Sequence, residues 1–351
     1  MDDLAASAQY VDTVVAGLDD PWQVQQKALE TLKTLGKLEP AALAQHAGPV
    51  IAWLGDSDEL VHWTAWNTLR NLEPAMLAQH TGAMVARLSD SNAGVRGHAA
   101  LTLRYLEPAT LALHADAVVA RLWDSDEEVR ALAVDTLGKL EPVKIAQHAD
   151  AVVARLEDSF EEVRGHALTT LGQLEQATLA RYSNAVITRL EDPVDYVRKF
   201  ALKTLGKLEP ATLAQHVNAI VTRLEDSAEG VREEALRTLR KLEPATLAQH
   251  ATAVVTRLED SAEGVRGRAL DLLRGLPRYV TREYRVDVFD SFPRGVRSRL
   301  LGRLAWYRCR LRLRVQRLAL YWYALPYRPS GPGHARDLQA WDQMSKRSRH
   351  V

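Results

Sequence analysis

Two columns of polar side chains recur along this chain at spacings that invite a chemical reading. Asp56, Asp90, Asp124, Asp158, Asp192, Asp226 and Asp260 form the first. Six residues after each stands a base: His62, then Arg96, Arg130, Arg164, Arg198, Arg232 and Arg266. A carboxylate paired with a base could pass a proton as general acid and general base. Catalysis needs one such pair, however, and seven evenly spaced copies point to architecture.

The second column is aromatic and titratable: His46, His80, His114, His148, His216 and His250, with Tyr10 and Tyr182 in register. Zinc would need ligand nitrogens at roughly 2.0–2.1 Å from one ion. Rings on successive helical units stand about 10 Å apart, so neighbours cannot share a metal. Tyrosine in the same register indicates a ring with a polar tip filling a set gap. Cys309 lies between Arg308 and Arg310, which would favour its thiolate, but a lone thiol in a basic segment reads as incidental. No Gly-rich phosphate loop follows a strand, and no Ser/His/Asp or Cys/His arrangement stands out from the repeat. The expectation is a protein that is not an enzyme, with no cofactor, no metal and no small-molecule substrate.

The elements that place these columns are set by a ruler. Leu38, Leu72, Leu106, Leu140, Leu174, Leu208, Leu242 and Leu276 stand 34 residues apart, most opening Leu-Glu-Pro. Seven of them begin a copy of one unit, clearest at Leu140 to Gln173. A repeat this strict specifies a solenoid, because one helical hairpin cannot bury its apolar face alone. The first helix starts at the proline, whose missing N–H costs nothing there. From Pro108 to Leu122, residues Leu111, Ala115, Val118, Val119 and Leu122 form a single stripe at helical spacing. Asp124 and Ser125 then break the helix, and Asp124 with Glu127 reads as a capping box. Asp158 with Glu161, Asp226 with Glu229 and Asp260 with Glu263 repeat it. The second helix buries Val129, Ala133, Val134, Leu137 and Leu140. Eight hairpins are expected before residue 277, the first made irregular by an insertion at Thr31-Leu32-Lys33. At helix spacings of 8–10 Å they would make a curved rod about 70–80 Å long.

The pattern Leu156, Asp158, Val163, Arg164, Ala167 resembles the HEAT repeat. A 34-residue period also belongs to tetratricopeptide repeats, but their Trp-Leu-Gly-Tyr and Ala-x-x-x-Phe signatures are missing. The units are similar to the shorter HEAT-like variety, including that of phycobilisome-lyase-type proteins, over residues 1–276. The resemblance implies an all-α, right-handed α-α superhelix of HEAT/armadillo type. It also implies that the Asp and Arg columns are an inter-repeat ladder, each Arg donating to carboxylates of its own and the adjoining unit: Asp124, Arg130, Asp158, Arg164, Asp192, Arg198, Asp226 and Arg232. The His-Glu pairs by which HEAT-like hydroxylases hold iron are absent. Most such solenoids are scaffolds or adaptors, and the second-helix face lines their groove.

On that face, positions two, six and ten after the valine escape the buried stripe and vary between units. They read Trp63 and Asn67, then Gly97, Leu101 and Tyr105, then Ala131 and Asp135, later Lys199, Lys203 and Lys207, then Glu233, Arg237 and Lys241. The candidate partner-binding face is therefore Trp63, Tyr105, Lys199, Lys203, Lys207, Arg237 and Lys241, since aromatics and Arg dominate binding hot spots. The lysine stripe could meet an acidic partner or stand solvated.

Composition adds a division of charge. The chain has 351 residues with 45 Lys and Arg against 45 Asp and Glu. Residues 1–276 hold 28 against 40, and residues 277–351 hold 17 against 5. An acidic rod thus carries a basic tail. One cysteine excludes an internal disulfide framework and fits a reducing compartment. The start, MDDLAASAQY, has no signal-peptide character, and no run of 18 or more apolar residues would span a membrane. A cytoplasmic protein is expected, with a nuclear one as the alternative suggested by Ser345 to Arg349.

Residues 277–325 read as a degenerate cap and a basic amphipathic helix, and 326–351 as a linker and basic tail. Leu300, Leu304, Tyr307, Leu311, Val315, Leu318 and Trp322 share one helical stripe. Arg308, Arg310, Arg312, Arg314 and Arg317 surround it. Three occupants compete for that helix: the last hairpin, which it would cap; nucleic acid, its phosphates met by Arg and its bases by Trp306, Tyr321, Trp322 and Tyr323; and an anionic membrane. The leading reading is a protein-protein scaffold, the alternative a nucleic-acid or ribonucleoprotein-associated factor, and an enzyme of lyase-like type stands behind both.

Overall fold

The computed structural model describes residues 47–56 and 58–276, together with Glu30 and Ala44. Among them are seven helical hairpins and no strand. The first hairpin comprises α1 (Ala47–Trp53) and α2 (Glu59–Leu69). The second comprises α3 (Pro74–Ala78), α4 (Thr81–Arg87) and α5 (Ala93–Leu103). The third follows with α6 (Pro108–Ala112), α7 (Ala115–Val119) and α8 (Glu127–Leu137), and the fourth with α9 (Pro142–Gln147), α10 (Ala149–Ala154) and α11 (Glu161–Leu171). The fifth has α12 (Gln176–Arg181), α13 (Ser183–Thr188) and α14 (Asp195–Leu205). The sixth has α15 (Pro210–Ala214), α16 (Val217–Thr222) and α17 (Glu229–Leu239). The seventh has α18 (Pro244–Ala248), α19 (Ala251–Thr256) and α20 (Glu263–Arg274). The expected opening hairpin with its insertion, the cap and basic helix of 277–325, and the tail of 326–351 lie outside the described residues.

The 34-residue ruler is visible in the packing. Each long second helix lies against the next in the order α2, α5, α8, α11, α14, α17, α20, and against the first half of its own hairpin. In the fourth unit Ile145, Ala149, Val152, Leu156, Val163, Ala167, Leu168, Leu171 and Leu174 are all buried. Burying a Leu or Val side chain stabilises by about 1.5–3 kcal/mol. A single hairpin would leave much of that surface wet, so its stability comes from its neighbours.

Two local expectations are corrected. The first helix of each unit is not continuous from Pro108 to Leu122. It is α6, a break at Leu113-His114, α7, and a 3-10 turn at Ala120–Trp123. At the break His114 has φ −120°, ψ 12°, outside the helical basin, and its N–H donates to the Leu111 carbonyl three residues back at 2.9 Å. Leu111, Ala115, Val118 and Leu122 nonetheless all remain buried, while Val119 is half-buried. The apolar period survives the break, which is why periodicity could not reveal it.

The capping boxes are also absent as read. The second helix starts later, with Asp126 as the N-cap of α8, accepting from the N–H groups of Glu128 and Val129. Asp124 instead closes a turn two residues upstream, its carboxylate accepting from Asp126 N–H at 3.1 Å. Asp158, Asp192, Asp226 and Asp260 do the same for Phe160, Val194, Ala228 and Ala262 at 3.0 Å. Such Asx turns fix how the chain enters the helix without needing a glutamate partner.

These aspartates are then in place for the ladder, whose geometry differs in one respect from that expected. Each Arg from Arg96 to Arg232 forks onto the carboxylate of the following unit and onto carbonyls, not the carboxylate, of its own. Arg96 meets Asp124, Arg130 meets Asp158, Arg164 meets Asp192, Arg198 meets Asp226 and Arg232 meets Asp260, through Nε and Nη2 at 2.7–2.9 Å. Nη1 of Arg164 donates to the carbonyls of Asp158 and Ser159 at 2.9 and 3.0 Å. Burial pushes the Asp158 carboxyl upward, but the Arg130 hydrogen bonds and the Phe160 N–H outweigh it and hold the group below its ordinary range.

One rung differs. His62 occupies the Arg position and turns away from the fork pattern, its Nδ1 2.9 Å from Nδ1 of His98 on the next second helix. The Trp66 ring lies 5.5 Å from that of His98. Burial and the facing His62 push His98 down to about 4. Burial likewise lowers His62, against the opposing pull of Glu59, Asp56, Asp58 and Asp90.

Candidate partner-binding face

The exposed face of the second helices divides into two ends. On α14, Lys199 and Lys203 are exposed at i and i+4, about 6 Å apart along the axis, and Lys207 is exposed two residues beyond the helix end. In the same register on α17 and just beyond it, Arg237 and Lys241 are also exposed, and Glu233 is half-buried. Among the described residues no carboxylate forms an ion pair with Lys199, Lys203, Lys207 or Lys241; Arg237 approaches Glu234 at 3.7 Å and keeps 55% of its side chain exposed. Glu233 is held by Arg268 at 3.2 Å. The Lys199 side chain lies over Gly230, where a Cβ would stand 3.8 Å from Nζ.

The other end is apolar and partly closed. Trp63 is 43% exposed. Leu101 and Tyr105 are only half-buried. Asp135 is held by Arg104 at 2.7 Å. Position two after the valine is a free surface position in only some units, not in all as expected: Trp63, Lys199 and Gly267 are exposed there. Gly97 and Ala131 are buried there, and a Cβ on Gly97 would come within 3.1 Å of Leu132 Cδ1. Gly165 is similarly covered by Tyr196, whose Cε2 would be 3.1 Å away. Asn67, at position six, is buried too. Adjacent second helices approach closely, and a side chain at this position clears the neighbour by passing over it, as Lys199 does at Gly230.

The aromatic column serves the hairpin breaks. His80, His114, His148, Tyr182, His216 and His250 all stand at the junction between the two short helices of the first half. Three of the polar tips reach the preceding unit: Tyr182 donates to Asp150 at 2.8 Å, His216 Nε2 is 3.1 Å from Ser183 Oγ, and His148 Nδ1 is 3.9 Å from Asp116. His46 and Tyr10 lie outside the described residues. Among those described, no three His, Cys, Asp or Glu side chains gather closely enough to hold a metal. No described helix is long and apolar enough to cross a membrane.

Two further columns escaped the sequence reading. Arg155, Arg189, Arg223 and Arg257 each donate through Nη1 to a leucine carbonyl of the preceding unit, from Leu122, Leu156, Leu190 and Leu224, at 2.9–3.0 Å. Thr136, Thr170, Thr204 and Thr238 are buried and donate to carbonyls of the preceding second helix at 2.8–3.3 Å. Their recurrence at the 34-residue period, Arg from Arg87 to Arg257 and Thr from Thr68 to Thr238, was the available signal. Shallow polar clefts of about 410 and 490 Å³ open beside the ladder, one lined by Asp192, Arg198, Arg223 and Asp226, the other by Asp226, Arg232, Arg257 and Asp260. They are successive copies of one place in the repeat and single out no reaction centre. The arginines from Arg308 to Arg317 and Cys309 lie outside the described residues.

Comparison with known proteins agrees with this architecture. The family model of HEAT repeats matches residues 183–274. The crystal structure of an engineered protein superposes with a TM-score of 0.54 at 18% identity, covering 79% of this chain and 81% of that one. A second engineered protein, 17% identical, covers 55% of this chain and 95% of its own with a TM-score of 0.46. The first likeness shows the helical repeat fold alone. No curated protein sequence matches the chain.

Proposed function

We propose that this HEAT-like helical solenoid is a non-catalytic scaffold that binds a protein partner along the exposed face of its second helices. The observation that carries the reading is the distribution of variation between units. Buried valine, alanine, leucine, threonine, aspartate and arginine positions recur almost unchanged, whereas the exposed positions change from Trp63 to Lys199, Lys203 and Lys207 to Arg237 and Lys241. A fold constrains its interior, and positions that differ while the interior repeats are free to specify a partner. This reading places the protein in the cytoplasm, with no cofactor or metal.

The test is capture from a native extract by the full chain, by a variant carrying Trp63→Ala and Tyr105→Ala, and by one carrying Lys203→Glu and Arg237→Glu. A partner lost with either face variant, but retained by Glu157→Lys on the 3-10 turn Arg155–Glu157, supports the scaffold. Capture indifferent to both face variants refutes it. A second reading rests on the 17 Lys and Arg against 5 acids of residues 277–351. It assigns nucleic-acid contact to Arg308, Arg310, Arg312, Arg314 and Arg317. Capture abolished by nuclease, with the face variants behaving as wild type, would favour it.

A further inference from the structure

We infer that the basic end of the face, Lys199, Lys203, Lys207, Arg237 and Lys241, receives an extended acidic peptide segment with carboxylates at alternate residues. The inference rests on the scaffold reading and adds the chemistry of the partner.

The first argument is charge. Residues 1–276 are acidic, with 28 Lys and Arg against 40 Asp and Glu. Most arginines of the described units are committed to carbonyls and carboxylates of neighbouring hairpins. Against that background Lys199 and Lys203 on α14, and Lys207 and Lys241 just past the ends of α14 and α17, stand exposed with no carboxylate partner among the described residues. Four ammonium groups left without counter-charge on one face repel each other, and an anion laid across them relieves the repulsion.

The second argument is spacing. Side chains four apart on a helix are about 6 Å apart along its axis. Alternate residues of an extended peptide are about 6.6–6.8 Å apart and point the same way. A segment lying along α14 with acids at every second position therefore meets Lys199 and Lys203 in step and continues toward Lys207 in the turn just past the helix end. Its opposite edge faces Arg237 on the neighbouring helix, about 8–10 Å away, and Lys241 just beyond that helix.

The third argument separates a peptide from a nucleic acid. Single strands are held by aromatic platforms on which bases stack. Tyr196 and Phe200 are the aromatics of α14, and both are half-buried and packed edge-to-face at 6.0 Å. Tyr196 also covers Gly165 on the preceding helix. Neither ring is presented beside the lysines as an open stacking surface.

The experiment is lysine footprinting by acetylation of the full chain, read residue by residue by mass spectrometry. The probes are a synthetic peptide alternating glutamate with serine, and oligouridylate. Residues 277–351 contain a single lysine, Lys346, so binding to the tail arginines does not enter the readout. With the peptide, acetylation of Lys203 and Lys207 should slow by about fivefold or more, Lys139 and Lys144 should be unaffected, and high salt should abolish the effect. Lys203→Glu should remove the protection of Lys207 while leaving the circular dichroism spectrum unchanged. Equal protection of all lysines, no protection, or stronger protection by oligouridylate would each overturn the inference. If the footprint fails while capture still depends on Trp63 and Tyr105, the acidic partner falls and the scaffold stands; if both fail, both fall.

Discussion

Removing one ladder rung should cost several times more in the middle of the solenoid than at its end, although the residue removed is the same. Arg164 donates to both Asp192 oxygens at 2.7 and 2.9 Å and to the carbonyls of Asp158 and Ser159. Its side chain is 8% exposed and that of Asp192 is 1% exposed. Arg164→Ala would leave that carboxylate buried, with the Val194 N–H at 3.0 Å and Arg189 Nη1 at 4.0 Å as its remaining support. Breaking a buried pair from one side costs roughly 3–5 kcal/mol. The remaining donors place the expected loss near the lower figure, about 3 kcal/mol.

Arg266 provides the control. It makes the same bonds to its own unit, to the carbonyls of Asp260 and Ser261 at 2.7 and 2.8 Å. Position 294, where the column would supply the next aspartate, is Arg294. Arg266→Ala should therefore cost only about 1 kcal/mol. Arg164→Lys should fall between the two, because the charge remains but the two-pronged geometry is lost. A solenoid unfolds through nearest-neighbour interfaces and need not be two-state, so the readout is amide hydrogen exchange in α11, α14 and α20. Arg164→Ala should accelerate exchange on both sides of the α11–α14 junction. Equal effects at Arg164 and Arg266, or none at Arg164, would refute the inter-unit rung as a source of stability.

Acid should weaken the α2–α5 junction. Unfolded His98 takes up a proton near pH 6.5 and folded His98 near 4, so its contribution is present above pH 6.5 and lost as the pH falls toward 4. With solvent screening the loss is about 1–2 kcal/mol, and melts at pH 7 and 5 should differ less in His98→Phe than in wild type. His148→Tyr should leave the melting temperature nearly unchanged, since Tyr182 fills the equivalent place, and elemental analysis should find no stoichiometric zinc or iron in either protein. Thr170→Val should cost about 1 kcal/mol in urea unfolding by deleting the bond to the Val134 carbonyl; an unchanged midpoint would deny the threonine column a structural part.

The sequence determined what depends on one unit at a time. A 34-residue period, proline at the start of the first helix and the stripe from Val129 to Leu140 follow from local geometry, so the hairpins and their buried residues could be read directly. The aromatic column could be read as structural because Tyr182 replaces histidine within the same chain. Partner choice could not. That Arg164 forks onto Asp192, 28 residues ahead, rather than onto the nearer carboxylate of Asp158, depends on how the next hairpin is set down. The helix break at His114 leaves no trace in the period, because the same residues stay buried on either side of it. Gly97 and Ala131 share a register with Trp63 and Lys199, yet they are buried. The approach of adjacent second helices decides which side chains clear the neighbour, and that distance exists only once the hairpins are stacked. The same stacking brings His62 against His98 across 36 residues, turning a simple Arg-to-His change in the column into a rung of a different chemical kind.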